Sequence, residues 1–144
     1  MNLYKQINDW LLEYTALNNW IYFNATPYIT GVVSMSSVPG DRVKRSFING
    51  DKEKEILFAI DMVTEYDATG TSTVNLDAID EVSHFCEWLD EQETIKNYPQ
   101  FDKNCSISKI EVLSNIPSTL INQEQMLAKY QFQVRITYLQ KESN

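Results

Sequence analysis

KYQFQVRITYLQ, residues 129–140, decides the fold class. Tyr130, Phe132, Val134, Ile136 and Tyr138 alternate with Lys129, Gln131, Gln133, Arg135 and Thr137. Successive side chains of a strand point to opposite faces, so this spelling gives one apolar and one wet face. The reading is a strand whose apolar residues, Tyr130 to Tyr138, form a core-packing row.

Upstream, the other elements fall into place around it. Leu3, Ile7, Trp10, Leu11, Tyr14 and Leu17 recur at steps of three and four, which predicts an amphipathic helix over 2–17. The pair Asn18-Asn19 reads as its stop. Trp20–Phe23 is a short strand or a turn, limited by Pro27. Val33 and Met35 alternate with Ser34 and Ser36, so 31–38 reads as a strand, and Pro39-Gly40-Asp41 as a turn. RVKRSFI (42–48) and EILFAIDMVTEY (55–66) flank NGDKEK, which predicts a hairpin opening its turn with Asn49-Gly50. The second of these strands is mostly apolar on both faces at first, with Ile56, Phe58, Ile60 and Met62 on one side and Leu57, Ala59, Asp61 and Val63 on the other. That places it in the middle of a sheet.

DATGTST (67–73) is loop. A second helix follows, with Leu76, Ile79, Val82, Phe85, Cys86 and Leu89 as its stripe and Trp88 beside it. Asn75 suits its N-cap, Asp77 complements the positive end of its dipole, and the helix is predicted to end near Thr94. KNYPQFDKNC reads as linker. Residues 106–115 read as a strand, although Ile107 and Leu113 fall off the face of Ile110 and Val112. IPSTLINQEQ is a connection to the strand that opened this reading. The sum is an α+β domain over 1–144: a mainly antiparallel sheet with two amphipathic helices packed on it, and the 106–115 strand paired with 129–140.

Bulk composition narrows the function. The chain has 144 residues, 43% of them apolar, and only four Gly and four Pro, so it is neither low-complexity nor disordered in composition. Its net charge of −8 argues against a nucleic-acid-binding stripe and suits a soluble protein or one that must not stick to passing DNA. No secretory signal is expected, because Lys5, Asp9 and Glu13 interrupt the first apolar positions. The longest apolar run, Ile56–Ile60, is far short of a membrane span. Cys86 and Cys105 are therefore read as free thiols, Cys86 as core filler and Cys105 as a linker residue. The sequons at Asn24 and Asn104 carry no weight without secretion.

Chemistry is sparse. His84 is the only histidine. Asp80 and Glu87 flank it at helical spacing, which would suffice for a marginal metal site, but a solvated helix face gives the same pattern. No nucleophile–base motif accompanies His84, and neither G-x-x-x-x-G-K nor G-x-G-x-x-G occurs. Gly70-Thr71-Ser72-Thr73 ahead of a helix would suit an anion, or simply a capped loop. Trp10, Trp20 and Trp88 read as packing residues. Arg42, Lys44 and Arg45, followed by DKEKE, suit a salt-bridging contact edge. The expectation is a non-enzyme without a cofactor or metal.

Four stretches, in order, resemble a known family. VSMSSVPGDRVKRSFINGDKEKEILFAIDMV (33–63), FCEWLDEQ (85–92), ISKIEVLSN (107–115) and AKYQFQVRITYLQ (128–140) are similar to the strand–turn–hairpin, helix and two strands of the minor capsid proteins of siphophages and prophages of Gram-positive bacteria. That family looks like the tail-terminator, or tail-completion, group. The chain departs from it at Val38, where Ile is common, and at Pro117, where a glycine and an aromatic are frequent.

The resemblance implies a virion structural protein at the head–tail junction, assembled in the host cytoplasm. Tail terminators form a ring, typically a hexamer, on the last ring of the tail tube. The ring stops tube polymerisation and offers a surface to the head-side connector protein. DNA passes through the lumen as cargo, and an acidic lumen would let it slide; no membrane is involved. The surfaces expected to meet a neighbouring subunit or the tube are the charged hairpin, with Arg42, Lys44, Arg45, Asn49, Asp51, Lys52, Lys54 and Glu55, and the loop with Asp67 and Thr69. Two alternatives stand beside this reading: a head-completion (stopper) protein on the portal side, and a small ligand- or metal-binding domain.

Overall fold

A computed structural model describes residues 2–14, 21–38, 42–113 and 118–142, with Arg42 by its backbone alone. Among them the order is α1 (Leu3–Leu11), β1 (Tyr22–Phe23), β2 (Val33–Ser37), β3 (Arg42–Ser46), β4 (Lys52–Glu65), α2 (Val74–Ile95), β5 (Cys105–Val112), β6 (Ser118–Asn122) and β7 (Leu127–Gln140). The fold is α+β, with one mostly antiparallel sheet and two helices.

Two long strands form the middle of the sheet. β4 and β7 pair antiparallel along their whole length, from Lys52 opposite Gln140 to Glu65 opposite Leu127. The outer edge of β4 is shared end to end by β3, against Lys52–Glu55, and β2, against Phe58–Met62. The outer edge of β7 is shared by β5 and β6 in the same manner. β1 adds a short parallel pair to β2. The two-sided apolar spelling of β4 thus corresponds to a strand with neighbours on both edges.

Register fixes the faces. Ile56, Phe58, Ile60 and Met62 stand opposite Ile136, Val134, Phe132 and Tyr130, so one face is continuously apolar. All of these are buried, as is Tyr138. Val33 and Met35 of β2 extend this face on one side, and Ile107, Ile110 and Val112 of β5 on the other. The mismatch seen in the 106–115 sequence has a cause: the ladder slips between Ile107 and Lys109. An extra residue at Ser108 returns Ile107 to the core face. The Ser108 hydroxyl donates to the Thr137 carbonyl at 3.1 Å.

Both helices join the same core. α1 is capped by Asn2, whose side chain accepts from Lys5 N–H, and buries Ile7, Trp10 and Leu11. It is shorter than the predicted 2–17; residues 15–20, with Leu17, the Asn pair and Trp20, lie outside the described residues, as does the 39–41 turn. Trp10 lies 5.3 Å from Trp88, ring centre to ring centre, and its Nε1 donates to the Asn97 carbonyl at 2.9 Å. Tyr14 stacks at 4.8 Å on Phe85, which meets Phe132 of the sheet at 5.9 Å.

α2 corrects two expectations and bears out a third. Its buried face is Ala78, Val82, Phe85, Leu89 and Gln92, whereas Leu76 is 69% and Ile79 41% exposed. Asn75 is not its N-cap. The cap position is Thr73, and the Asn75 amide instead brackets Asp67, accepting from its N–H and donating to its carbonyl, both at 2.9 Å. The helix runs one residue past Thr94, to Ile95, and closes on Lys96 in the left-handed conformation, whose N–H reaches the Gln92 and Glu93 carbonyls.

Two further expectations change. The connection ahead of β7 contains a strand, β6, which forms a hairpin with β7 through a turn ending at Met126, φ +55°. Cys105 is the first residue of β5 and not part of the linker.

Glu93 ties three segments together. One carboxylate oxygen accepts from Tyr98 Oη at 2.7 Å and Lys96 Nζ at 3.0 Å, and the other from Ile110 N–H at 3.1 Å. Burial raises its pKa, but the hydrogen bonds from Tyr98, Lys96 and Ile110 together outweigh it, and the net direction is downward. A carboxylate with a lowered folded pKa contributes stability above its ordinary pKa of 4.5 and loses it as pH falls through the lower folded value. Glu93→Gln is therefore expected to cost about 1 kcal/mol at neutral pH. Thermal unfolding of both proteins at neutral pH and at about pH 3 checks this: the gap should shrink in acid. An equal gap at both pH values would remove Glu93 as the source.

Candidate functional interface

The β3–β4 hairpin is built for a tight, charged edge. Ile48, Asn49 and Gly50 form its loop, with Phe47 N–H donating to the Asp51 carbonyl at 2.8 Å and Gly50 N–H to the Phe47 carbonyl at 3.0 Å. Gly50 takes φ +91°, a conformation a side chain resists. Asn-Gly is thus a real turn signal, but its glycine serves a three-residue loop and not a two-residue one. The Asn49 amide holds Asp51 at 3.2 Å, and Asp51 accepts from Glu142 N–H at 3.0 Å.

The charges divide between those turned into the hairpin and those left outside. Lys44 lies 3.6 Å from Glu55 and 3.8 Å from Glu53, and Arg45 lies 3.6 Å from Glu53. Glu55 is buried, so of the residues predicted for the interface it serves the hairpin itself. Arg45 and Lys52 are exposed, and Lys54 is half-buried where β4 pairs with Val43 and Tyr138. Arg42 pairs with Glu55 through the backbone. Phe47 and Ile48 at the tip are exposed, Ile48 fully.

Asp67 and Thr69 sit at the other end of β4. The Asp67 carboxylate accepts from Thr69 Oγ1 at 2.7 Å and Ser72 Oγ at 2.8 Å, and from both backbone N–H groups. These bonds, the Thr69 hydroxyl first, hold its pKa down to about 2. The negative group in the loop ahead of α2 is thus the chain's own Asp67, at the place where the sequence offered an anion or simply a capped loop. The two predicted patches are separated by the length of β4, a strand of 14 residues or about 45 Å, so they do not form one site.

The sheet face away from the helices carries a polar network beside Leu57, Ala59 and Val63 of β4. Arg135 of β7 reaches Glu111 of β5 at 2.9 Å. Asp61 of β4 accepts from Gln131 Nε2 at 2.8 Å and Thr26 Oγ1 at 3.1 Å, and Thr26 lies 2.7 Å from Ser34. Sequence reading placed Asp61 only by alternation; that it is 3% exposed and anchors the 24–32 segment required the register.

Asp80, His84 and Glu87 are all exposed on the outer side of α2, and no group of three metal-ligating side chains is clustered among the described residues. Cys86 is half-buried, and burial pushes its thiol up to about 11, away from thiolate chemistry. No helix among the described residues is long and apolar enough to cross a membrane. Among known proteins, no family model matches the chain and no curated protein matches it.

Proposed function

We propose that this protein is a phage or prophage structural protein of the tail-terminator type. It assembles with copies of itself into a ring on the tail tube, stops tube growth and presents a surface to the head-side connector. One observation carries the reading: the four stretches that bear the resemblance are β2–β4, the second half of α2, β5 and β7. The likeness therefore lies mainly in the sheet and core, with the turns that join β2, β3 and β4. The charged, apolar-tipped hairpin adds a surface suited to protein contact.

Light scattering over a concentration series, with and without the tail-tube protein from the neighbouring gene, tests this. The expected result is a mass near six subunits, or a ring that forms only with the tube protein. A monomer at every concentration that ignores the tube protein would overturn it in favour of the connector or ligand-binding alternatives. Deleting residues 49–54 is expected to abolish assembly and tube binding; retention of both would remove the hairpin from the interface.

A further inference from the structure

The hairpin and a groove at the far end of the same strand are complementary. Segment 42–55 carries five basic residues, Arg42, Lys44, Arg45, Lys52 and Lys54, against three acidic ones, in a chain whose net charge is −8. Its tip is apolar, with Phe47 42% and Ile48 109% exposed. α2 is the reverse. It carries seven acidic residues and no Lys or Arg. Where its first turns pass the end of β4 they enclose an open groove of about 330 Å³, lined by apolar Val63, Val74 and Ala78 and by the carboxylates of Glu65, Asp77 and Glu81.

A basic wedge with an apolar point and an acidic groove with apolar lining cannot meet within one molecule. The length of β4 separates them. We propose that the hairpin tip of one copy seats in the α2–β4 groove of a second copy. Phe47 and Ile48 cover the groove's apolar lining, while Arg45 and Lys52 face Glu65 and Glu81. Exposed charge pairs steer and orient such a contact, and the buried tip supplies the affinity. The contact is head-to-tail, so any open series keeps one unused tip at one end and one unused groove at the other, and it ends only when it closes on itself. The inference rests on the self-assembly proposed above and names the two surfaces that meet.

Charge exchange tests it on the full chain, by light scattering with and without the tail-tube protein. One variant is Arg45→Glu with Lys52→Glu, the other Glu65→Lys with Glu81→Lys. Each variant alone is expected to remain monomeric where the wild type assembles, because tip and groove then share a sign. An equal mixture of the two is expected to regain the wild-type mass, since each tip again meets an opposite groove; that recovery also demonstrates that both variants fold. A third variant, Ile48→Ser, alters only a fully exposed side chain and is expected to weaken assembly about tenfold. If the wild type assembles but the charge variants assemble equally well, or the mixture fails to recover, or Ile48→Ser has no effect, this contact is wrong while the ring reading stands. A wild type that remains monomeric under every condition overturns both.

Discussion

Phe132→Ala is expected to lower stability by about 3–5 kcal/mol and the unfolding midpoint by roughly 10–15 °C. Phe132 is 1% exposed and lies on β7 between the long partner strand and α2, edge-on to the fully buried Phe85. Removing its ring leaves a void between two layers, and a sheet held on both edges has little freedom to close it. A loss of that size is a large part of the 5–15 kcal/mol that holds a typical domain together, so the variant is near the limit of folding. Phe132→Leu should recover most of the loss, because it restores most of the volume. Ile48→Ser is the contrasting substitution, with an expected change within about 0.5 kcal/mol, because that side chain is fully exposed. Thermal unfolding of the three variants against the wild type decides the matter. A Phe132→Ala protein that melts with the wild type would mean that α2 does not pack on this sheet face.

Asp61→Leu is expected to cost about 2–4 kcal/mol, by a different mechanism. The leucine removes the acceptor of Gln131 Nε2 and the bond that ties Thr26 Oγ1 to β4, leaving Thr26 only Ser34, in a site where Asp61 is 3% and Ser34 0% exposed. Buried donors without partners carry the full cost of losing water. Because Thr26 lies in the segment between β1 and β2, the damage should concentrate there. Urea unfolding measures the loss as a lower midpoint with an unchanged slope. Proteolysis within 24–32 should rise in parallel. An Asp61→Leu protein as stable as the wild type would show that the polar side of the sheet is held by its ladders alone.

Those two sites mark the boundary of what the sequence discloses. Phe132 could be placed in the core from alternation alone, because period-two spelling and burial coincide along β7. Asp61 could be placed only on the opposite face; its partners come from segments remote in the chain. The α2 stripe was misread for a physical reason. The true face is completed by Ala78, a small residue, and Gln92, a polar one whose Oε1 accepts from Asn97 Nδ2 at 2.6 Å. Leu76 and Ile79 are apolar yet exposed, so hydrophobicity pointed to the wrong side of the first turns. β6 was missed because Ser118–Asn122 does not alternate in burial and its turn places Met126 where glycine or asparagine would signal a reversal. The two expected contact patches were legible as charge and loop composition, but their separation along β4 was not, since distance between segments is a property of the register. The groove between α2 and β4 had no sequence signal.

The pairing of β4 with β7 also sets an order of events during synthesis. Every residue of β4 takes its neighbour on one edge from β7, and α2, β5 and β6 all lie between the two in the chain. Among the described residues, β5 and β6 have no sheet neighbour other than β7. Until β7 has left the ribosome, the apolar side of β4 has half a sheet to lie in, and two later strands have nothing to join. The domain is therefore completed in one late step, when a single segment enters between β4 on one side and β5 with β6 on the other. A nascent chain stopped short of Leu127 exposes a long apolar strand with one whole edge unpaired, which is the state chaperones hold and neighbouring nascent chains capture.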